Sequence, residues 1–186
     1  MNKIDLLKPE HCGLLIVDIQ DRMMRVIGSR DEVVGNTVLM MKTANVLKIP
    51  VVATTQYVKR IGELLPVITA ELGDGTPLDK LEFGCFENEA VLAALKSHKE
   101  VDTWVCCGVE THICMYQTVL GGIREGYRMW IPADAVSSRT EKNYLTGLDR
   151  IRQIGGVVAN TELIIYELLH KAGTTEFKSL LPFLRE

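Results

Sequence analysis

Residues 103–114 read TWVCCGVETHIC, and this stretch decides the fold. Its first part, Thr103–Val109, is a continuous apolar run, which is typical of a strand buried on both faces of a parallel sheet. The spacing of apolar residues then becomes helical. The residues that share this helical face are Ile113, Tyr116, Leu120 and Ile123. A buried strand that leads directly into a helix is the building unit of an α/β fold.

The alternation of strand and helix continues on both sides of this stretch. Further strands are predicted at Gly13–Asp18, Ile49–Thr55, Tyr127–Pro132 and Gly156–Ala159, with a short one near Leu78. Helical faces are predicted at Val34, Val38 and Met41, at Val91, Ala94 and Leu95, and at Tyr144, Leu148 and Ile151. The pattern predicts an α/β fold, a three-layer α/β/α sandwich around a mostly parallel sheet of about six strands, Rossmann-like in architecture, with right-handed crossovers.

The length and composition fit one domain that spans residues 1–186. The net charge is -3 and no basic run occurs, which argues against a nucleic-acid partner. No apolar run approaches the length of a membrane span, and Met1–Glu10 lacks the apolar core of a signal peptide. We therefore expect a cytoplasmic protein that has no membrane partner.

Five cysteines occur, an odd number without a CxxC pair, so a disulfide framework is not expected. Cys106 and Cys107 are adjacent in the predicted strand, which directs them to opposite faces of the sheet. Burial as a small hydrophobic side chain is the common fate of cysteine, so a chemical role for any of the five needs a further signal.

Cys114 has such a signal, because ligands of open α/β sheets bind beyond the carboxyl ends of the strands. It follows the Thr103–Val109 strand by five residues and lies in the first turn of the predicted helix. The positive end of a helix favours a thiolate and lowers its pKa, and the free N–H groups there could hold an oxyanion. The alternative is that Cys114 only packs under the sheet edge.

Asp18 ends the first predicted strand after four apolar residues. A dehydrated carboxylate at this position needs partners, whereas an exposed one would serve as a cap for the next helix. A lysine near both groups would favour their ionised states. Lys59 and Lys80 both lie in the irregular, glycine- and proline-rich stretch Lys59–Phe86, and spacing does not choose between them.

Metal, cofactor and Cys–His chemistry are not favoured by the spacing of the residues. His112 is two positions from Cys114, and residues two apart on a helix do not face each other. The four histidines show no spacing typical of a metal site. Residues 19–24 after the first strand read IQDRMM and contain no GxGxxG. We expect neither a metal nor another cofactor.

Four segments together resemble the isochorismatase-like superfamily of cysteine hydrolases. They are LLIVDIQ at 14–20, KLEF at 80–83, GVETHICMYQT at 108–118 and ADAVSSR at 133–139. The resemblance extends from Gly13 to about Leu180, and GVETHIC and ADAVSSR are similar to the isochorismatase-domain-containing proteins. It implies the superfamily's hydrolase fold and a homo-oligomer. Thr161–Leu184 could form an interface or could cover the sheet edge.

The resemblance also implies the site residues. Asp18, Lys80 and Cys114 match the catalytic triad, the Val109–Glu110 peptide matches a non-proline cis bond, and the backbone N–H groups of Glu110 and Cys114 match the oxyanion hole. The implied reaction is hydrolysis of a small amide-type C–N substrate through a thioester on Cys114, with Asp18 as general base. The residues expected to line the substrate cavity are Gln20, Tyr57, Phe83 and His112.

Three departures from family patterns narrow the reaction. Nicotinamidases carry an Asp-x-His metal motif where residues 53–60 read ATTQYVKR here, which argues against a metal. Isochorismatases often lack the cysteine, because vinyl-ether hydrolysis does not need it, so Cys114 favours an amide. Met23 or Met24 stands where the family has an aromatic residue. A vinyl-ether hydrolase and a non-catalytic binding protein remain the alternatives.

Overall fold

Seven parallel strands form the central sheet of this protein, which a computed structural model describes for residues 5–184. The strands are β1 (Cys12–Val17), β2 (Val51–Gln56), β3 (Leu78–Lys80), β4 (Thr103–Val109), β5 (Arg128–Pro132), β6 (Val136–Ser137) and β7 (Val157–Ala159). Their order is β3-β2-β1-β4-β5-β7, and β6 pairs with the last residues of β4. The predicted parallel sheet is confirmed. The additional strand, β6, has only two residues, which is too short for an apolar run to reveal.

Helices cover both faces of the sheet. They are α1 (Asp21–Met24), α2 (Arg30–Leu47), α3 (Val58–Ile61), α4 (Pro66–Leu72), α5 (Glu89–Ser97), α6 (Tyr116–Arg124), α7 (Glu141–Gln153), α8 (Thr161–Leu169) and α9 (Thr175–Leu180). Short 3₁₀ turns lie at Pro9–His11, Cys85–Glu87 and Ala133–Ala135, and a π-helical turn lies at Thr111–Met115.

The core is divided by the sheet into two apolar layers. Leu15 and Cys106 pack with side chains of α5, α6 and α7 on one face, whereas Ile16 and Cys107 pack with those of α2, α8 and α9 on the other. The predicted three-layer sandwich and the opposite directions of Cys106 and Cys107 are therefore confirmed. Both thiols are fully buried.

The buried face of the helical segment after β4 is displaced by one residue from the predicted face. The residues predicted to face inward are only half-buried; they are Ile113, Tyr116, Leu120 and Ile123. The fully buried residues are Cys114, Met115, Thr118 and Val119. The chain enters α6 through the π-helical turn, whose wider winding rotates the helix that follows. Because of this rotation, Cys114 faces the protein interior.

The predicted face of α2 is confirmed at Met41, which is fully buried, but not at the two valines. Val33, Thr37 and Met40 are buried, while Val34 and Val38 are half-buried. Apolar residues occur next to each other along this helix, so their spacing alone could not select the inner face.

The C-terminal helices cover the sheet. Ile164 and Leu168 of α8 and Leu180 of α9 lie in the core, whereas Leu163 and Tyr166 on the outer side of α8 are 47% and 45% exposed. Of the two roles predicted for Thr161–Leu184, covering the sheet is therefore observed. Residues 1–4, which belong to the Met1–Glu10 segment, and residues 185–186 lie outside the described residues, and the single domain over 1–186 stays a prediction.

Candidate active site

Four neighbouring strands bring the principal polar side chains of the site to one edge of the sheet. β3, β2, β1 and β4 are adjacent, and the carboxyl ends of parallel strands meet at the same edge. Asp18 follows β1 directly, Lys80 is the last residue of β3, and Cys114 lies in the π-helical turn after β4. Three positions that are far apart in the sequence thus converge beyond this edge.

Asp18 and Lys80 form an ion pair whose side chains are completely buried. The Lys80 Nζ donates to Asp18 Oδ2 at 2.7 Å and to Gln56 Oε1 at 2.9 Å. The other carboxylate oxygen of Asp18 accepts a hydrogen bond from the Thr54 hydroxyl at 2.8 Å. Asp18 therefore has partners on both oxygens, as a dehydrated carboxylate requires. It makes no cap bond to α1, whose N-cap is Gln20.

The side-chain amide of Gln20 links the end of β2 to the loop after α3. Its Oε1 accepts from the N–H of Gln56 at 2.7 Å, and its Nε2 donates to the carbonyls of Gln56 and Gly62. Gln20 is fully buried and its amide is used in these contacts. It holds β2 and the loop after α3 in place, which differs from the cavity-lining role expected from the sequence.

Cys114 is 3% exposed, and its thiol is near enough to the Asp18 carboxylate for the carboxylate's charge to raise the pKa of the thiol. The carbonyl of Glu110 accepts from the N–H groups of Ile113 (3.0 Å) and Met115 (3.2 Å), and neither bond uses the Cys114 N–H. Within residues 5–184 the Glu110 N–H donates no hydrogen bond. The Val109–Glu110 peptide is cis, as the resemblance implied.

The surroundings of Cys114 raise the pKa of its thiol. Burial raises the pKa of Cys114, the adjacent Asp18 carboxylate raises it further, and the Lys80 ammonium only partly opposes both effects. Burial also raises the pKa of Asp18, against the opposing effect of Lys80. Burial alone would lower the pKa of Lys80, but the negative charge of Asp18 raises it.

The lowered pKa expected for Cys114 from its helical position is therefore wrong. The N-terminal turn does favour a thiolate, but dehydration and a carboxylate in contact outweigh that effect. Burial and the Asp18 charge thus both favour the neutral thiol of Cys114 beside the Asp18–Lys80 ion pair.

His112, in the same π-helical turn as Cys114, belongs to a separate polar group. Its Nδ1 lies 3.1 Å from the Ser138 hydroxyl and 3.5 Å from Glu110 Oε2. The guanidinium of Arg139 pairs with the other oxygen of Glu110, and the Arg139 N–H donates to Glu110 Oε2 at 3.1 Å. The Cys114–His112 dyad, which the sequence did not favour, is not formed by these contacts.

Two of the remaining predicted site residues lie at the surface. Tyr57 is 42% exposed and Phe83 is 51% exposed, and each stands close in sequence to a strand end of the site. Lys59 is exposed, so the structure selects Lys80 from the two lysines that the spacing left open.

The sequence reasoning missed Thr54, Gln56 and Cys85. Thr54 pairs in register with Val17, so its place at the strand end could have been inferred from the parallel alignment of β1 and β2. Cys85 is fully buried, its Sγ lies 3.9 Å from the Thr54 hydroxyl, and burial raises its pKa to about 11. Nothing in the local sequence around Cys85 indicates that it approaches the site.

The described residues bear on whether the protein could bind a metal ion or cross a membrane. Among residues 5–184 no group of three or more His, Cys, Asp or Glu side chains is arranged to hold a metal ion. The helices in this range lack the length and apolar character needed to cross a membrane. The absence of a cofactor stays a prediction.

A family model and curated relatives both match this chain to isochorismatase proteins. The isochorismatase domain model matches residues 12–162. Isochorismatase family protein 1B of Dictyostelium discoideum is 32% identical over 181 residues, which cover 96% of this chain and 88% of the relative. The secreted isochorismatase effector Isc1 of Phytophthora sojae is 32% identical over 187 residues, covering 99% and 89%.

The fold also agrees with a solved structure of an octameric hydrolase of unknown specificity, the YcaC gene product of Escherichia coli. It superposes with a TM-score of 0.89 at 21% identity and covers 100% of this chain and 95% of that chain. The family resemblance recognised in the sequence is thereby confirmed. The matched domain, the relatives above 30% identity and the shared α/β architecture show that this chain belongs to the isochorismatase family.

Proposed function

We propose that this protein is a cysteine hydrolase that cleaves the C–N bond of a small amide-type substrate. The observation that carries the proposal is the buried ion pair in which Lys80 donates to Asp18 at 2.7 Å, with the buried Cys114 thiol near enough for Asp18 to raise its pKa. A nucleophile in contact with a base that a third group holds in place is the arrangement that covalent catalysis requires.

In the first half of the reaction, Asp18 takes the thiol proton while Cys114 Sγ attacks the carbonyl carbon of the substrate. The N–H groups of Glu110 and Cys114 stabilise the negative oxygen of the tetrahedral intermediate. The C–N bond then breaks, Asp18 returns its proton to the leaving nitrogen, and an amine or ammonia departs. The acyl group remains as a thioester on Cys114.

In the second half, Asp18 takes a proton from water, and the resulting hydroxide attacks the thioester carbon. The C–S bond breaks, the carboxylic acid is released, and the proton returns to the sulfur. The raised pKa of Asp18 suits both halves, because a stronger base removes the thiol proton more readily. Lys80 holds Asp18 in position and balances its charge throughout.

The direct test is a screen of small primary and secondary amides for release of ammonia or amine. We expect Cys114→Ala to lower turnover by about 10⁴-fold or more. The control is Cys12→Ala, which removes a buried thiol at the start of β1, at the opposite edge of the sheet. This variant should keep wild-type turnover.

Two other results would support the alternatives. Hydrolysis of isochorismate that survives Cys114→Ala indicates a vinyl-ether hydrolase, because that reaction does not need the thiol. Binding of amides without turnover in the wild-type protein indicates a binding protein of the same fold.

We also propose that the chain forms a homo-oligomer in the cytoplasm. Support for assembly comes from the octameric YcaC structure and from the half-exposed Leu163 and Tyr166 on the outer side of α8. Light scattering after size-exclusion chromatography measures the assembly directly, and a monomer would contradict the proposal. The Phytophthora sojae relative is named a secreted effector, so recovery of this protein from the culture medium would contradict the cytoplasmic location.

A further inference from the structure

Strand β2 lies between the two strands that lead to the members of the buried ion pair. The sheet order β3-β2-β1 puts Lys80, at the end of β3, on one side of β2 and Asp18, directly after β1, on the other side. Because side chains alternate along a strand, Thr54 and Gln56 project from the same face of β2. Thr54 contacts Asp18 and Gln56 contacts Lys80, so each holds one member of the pair.

The Thr54 hydroxyl fixes the direction of the Asp18 carboxylate. It donates its only hydrogen to Asp18 Oδ1 at 2.8 Å, while Lys80 binds the other oxygen, so the carboxylate is held at both ends. The Cys85 Sγ lies 3.9 Å from the same hydroxyl and must be the donor there, because the hydroxyl hydrogen is already used. The N–H of Cys85 donates to Thr118 Oγ1 at 3.1 Å. Thr54 thus links Asp18 to a segment that is anchored on α6.

The side-chain amide of Gln56 fixes the Lys80 ammonium. Its Oε1 accepts from Lys80 Nζ at 2.9 Å, and its Nε2 donates to the carbonyl of Leu81 at 2.8 Å. These two contacts set the orientation of the amide, because a flipped amide would turn its donor group toward the ammonium. An ammonium has three N–H groups, and Asp18 and Gln56 accept two of them. Within residues 5–184 the third N–H has no acceptor, although the Lys80 side chain is completely buried.

We propose that Thr54 and Gln56 are positioning residues for the reaction at Cys114, each acting through one member of the ion pair. Thr54 holds the Asp18 carboxylate in the orientation in which it takes up a proton, and Gln56 holds Lys80 so that its third N–H faces the reacting atoms. The inference rests on the proposed function and extends it beyond the three candidate catalytic residues. A small loss of orientation is costly, because proton transfer requires donor and acceptor to stay within hydrogen-bonding distance.

The hydrogen bond from Thr54 has a consequence that can be measured at Asp18. The titratable groups that act on Asp18 or are acted on by it are Lys80, Cys85 and Cys114, from three different segments. Burial raises the pKa of Asp18, and the charge of Lys80 and the hydrogen bonds from Lys80 and Thr54 oppose this rise. Removing the Thr54 hydroxyl should therefore raise the pKa of Asp18 further.

The first test compares Thr54→Val with Thr55→Val. Thr55 is the next residue of β2 and donates to the exposed Asp79 at 2.9 Å, so each variant keeps the shape of its side chain and loses one hydrogen bond to an aspartate. NMR titration of isotope-labelled aspartate carboxyl carbons, assigned with Asp18→Asn, reports the pKa of Asp18. It should rise by about one pH unit in Thr54→Val and stay unchanged in Thr55→Val.

Kinetics on a responsive amide complete the test of Thr54. Thr54→Val should lower kcat by about tenfold and change KM by less than about twofold, because it disturbs the base and leaves substrate binding intact. Thr54→Ser keeps the hydroxyl and should restore both kcat and the wild-type titration of Asp18. An unchanged pKa of Asp18 in Thr54→Val, or an equal change in Thr55→Val, would overturn the role of Thr54.

The second test concerns Gln56 and needs no substrate. Burial and Asp18 raise the pKa of Cys114, and the Lys80 ammonium opposes them. Gln56→Met should let the ammonium move away, so alkylation of Cys114 by iodoacetamide at pH 8 should slow by about threefold or more. The same substitution should have no effect in a Lys80→Met background. An equal effect in both backgrounds would overturn the role of Gln56. Alkylation of Gln56→Met at the wild-type rate would overturn it whether or not the Lys80→Met protein folds.

Failure of the proposed function would give a different result from failure of this inference. If no amide is turned over while the Asp18 titration and the alkylation rates change as expected, hydrolysis is rejected and the hold of Thr54 and Gln56 on the ion pair is kept. If Thr54→Val and Gln56→Met turn over an amide at the wild-type rate, the inference is rejected and the proposed function is kept.

Discussion

The two ends of β1 carry the same three kinds of residue in different arrangements. At the carboxyl end, Cys114 lies with Asp18 and Lys80 in a buried network. At the amino end, about 20 Å away by strand length, Cys12 is influenced by Asp102 and Arg128. Both thiols are almost completely buried, and the pKa of each is raised.

The charged partners at the two ends differ in what they contact. Asp102 is exposed, and the Thr103 hydroxyl lies between it and Arg128, donating to Asp102 at 2.6 Å and accepting from Arg128 at 2.9 Å. Asp18 and Lys80, in contrast, bind each other directly without exposure to water. Cys12 is part of a strand, whereas Cys114 lies on a helical turn beyond the carboxyl edge of the sheet. A thiol, a carboxylate and a cation make a candidate site only where the topology brings them into one network.

The largest expected difference between the two ends concerns the aspartates. Asp18→Asn removes the base that takes the thiol proton, so hydrolysis of a responsive amide should fall by about 10²- to 10⁴-fold. Asp102→Asn should leave the rate unchanged, because Asp102 lies at the other edge of the sheet. Steady-state kinetics on both variants measures this contrast. Equal losses would indicate that Asp18 acts through stability and has no part in the chemistry.

The next difference concerns the cations and appears in stability. Lys80→Met leaves the buried Asp18 charge without its partner, which should lower the free energy of unfolding by about 3 to 5 kcal/mol. Arg128→Met loses one hydrogen bond at a half-buried position and should cost about 0.5 to 1.5 kcal/mol. Urea unfolding measures both values. Asp18→Asn combined with Lys80→Met should recover part of the loss, and no recovery would argue against a buried ion pair.

One glycine packs closely near each end of β1: Gly147 against the turn that contains Cys114, and Gly13 against Trp104. A Cβ at Gly147 would lie 2.8 Å from the backbone nitrogen of His112, in the π-helical turn that contains Cys114. A Cβ at Gly13 would lie 2.4 Å from the Trp104 ring. Either alanine variant should lose about 1 to 3 kcal/mol of stability through overpacking. Only Gly147→Ala should also change the alkylation rate of Cys114. A changed rate in Gly13→Ala would show that the two ends are coupled.

The smallest expected effect is a change in thiol reactivity with pH. Because burial and Asp18 raise the pKa of Cys114, its alkylation by iodoacetamide should keep rising from pH 7 to 9 without a plateau. Asp18→Asn removes a negative charge that disfavours the thiolate, so the pKa of Cys114 falls and labelling at pH 8 should become faster by about tenfold. Cys12, whose pKa burial raises to about 12, is the internal reference and should not respond. A plateau near neutral pH in the wild type would contradict the raised pKa.

The strands and two of the three candidate catalytic residues could be predicted from the sequence pattern, but Lys80 could not. The continuous apolar runs predicted the strands, and the rule that ligands bind at their carboxyl ends selected Asp18 and Cys114. Lys80 could not be selected by local pattern, because β3 has only three residues and is formed by pairing with β2. The choice came from the family resemblance.

The roles of single side chains depended on contacts that spacing does not encode. Gln20 matched a cavity-lining position, yet its amide is consumed by Gln56 and Gly62. The predicted lowering of the Cys114 pKa was wrong because the position of Cys114 in a helical turn favours a thiolate. The effects of burial and of Asp18, which raise the pKa, depend on the packing of segments that are distant in the sequence.

The central claim is that Cys114 carries the acyl group during turnover. The most direct measurement is peptide-resolved mass spectrometry of the wild-type protein, quenched with acid during hydrolysis of a responsive amide. We expect a mass increase equal to the acyl group on the peptide that contains Cys114. Hydroxylamine should remove this mass, and the peptide with Cys12 should not carry it. Sustained turnover in Cys114→Ala, or an acyl adduct on Cys85 in place of Cys114, would contradict it.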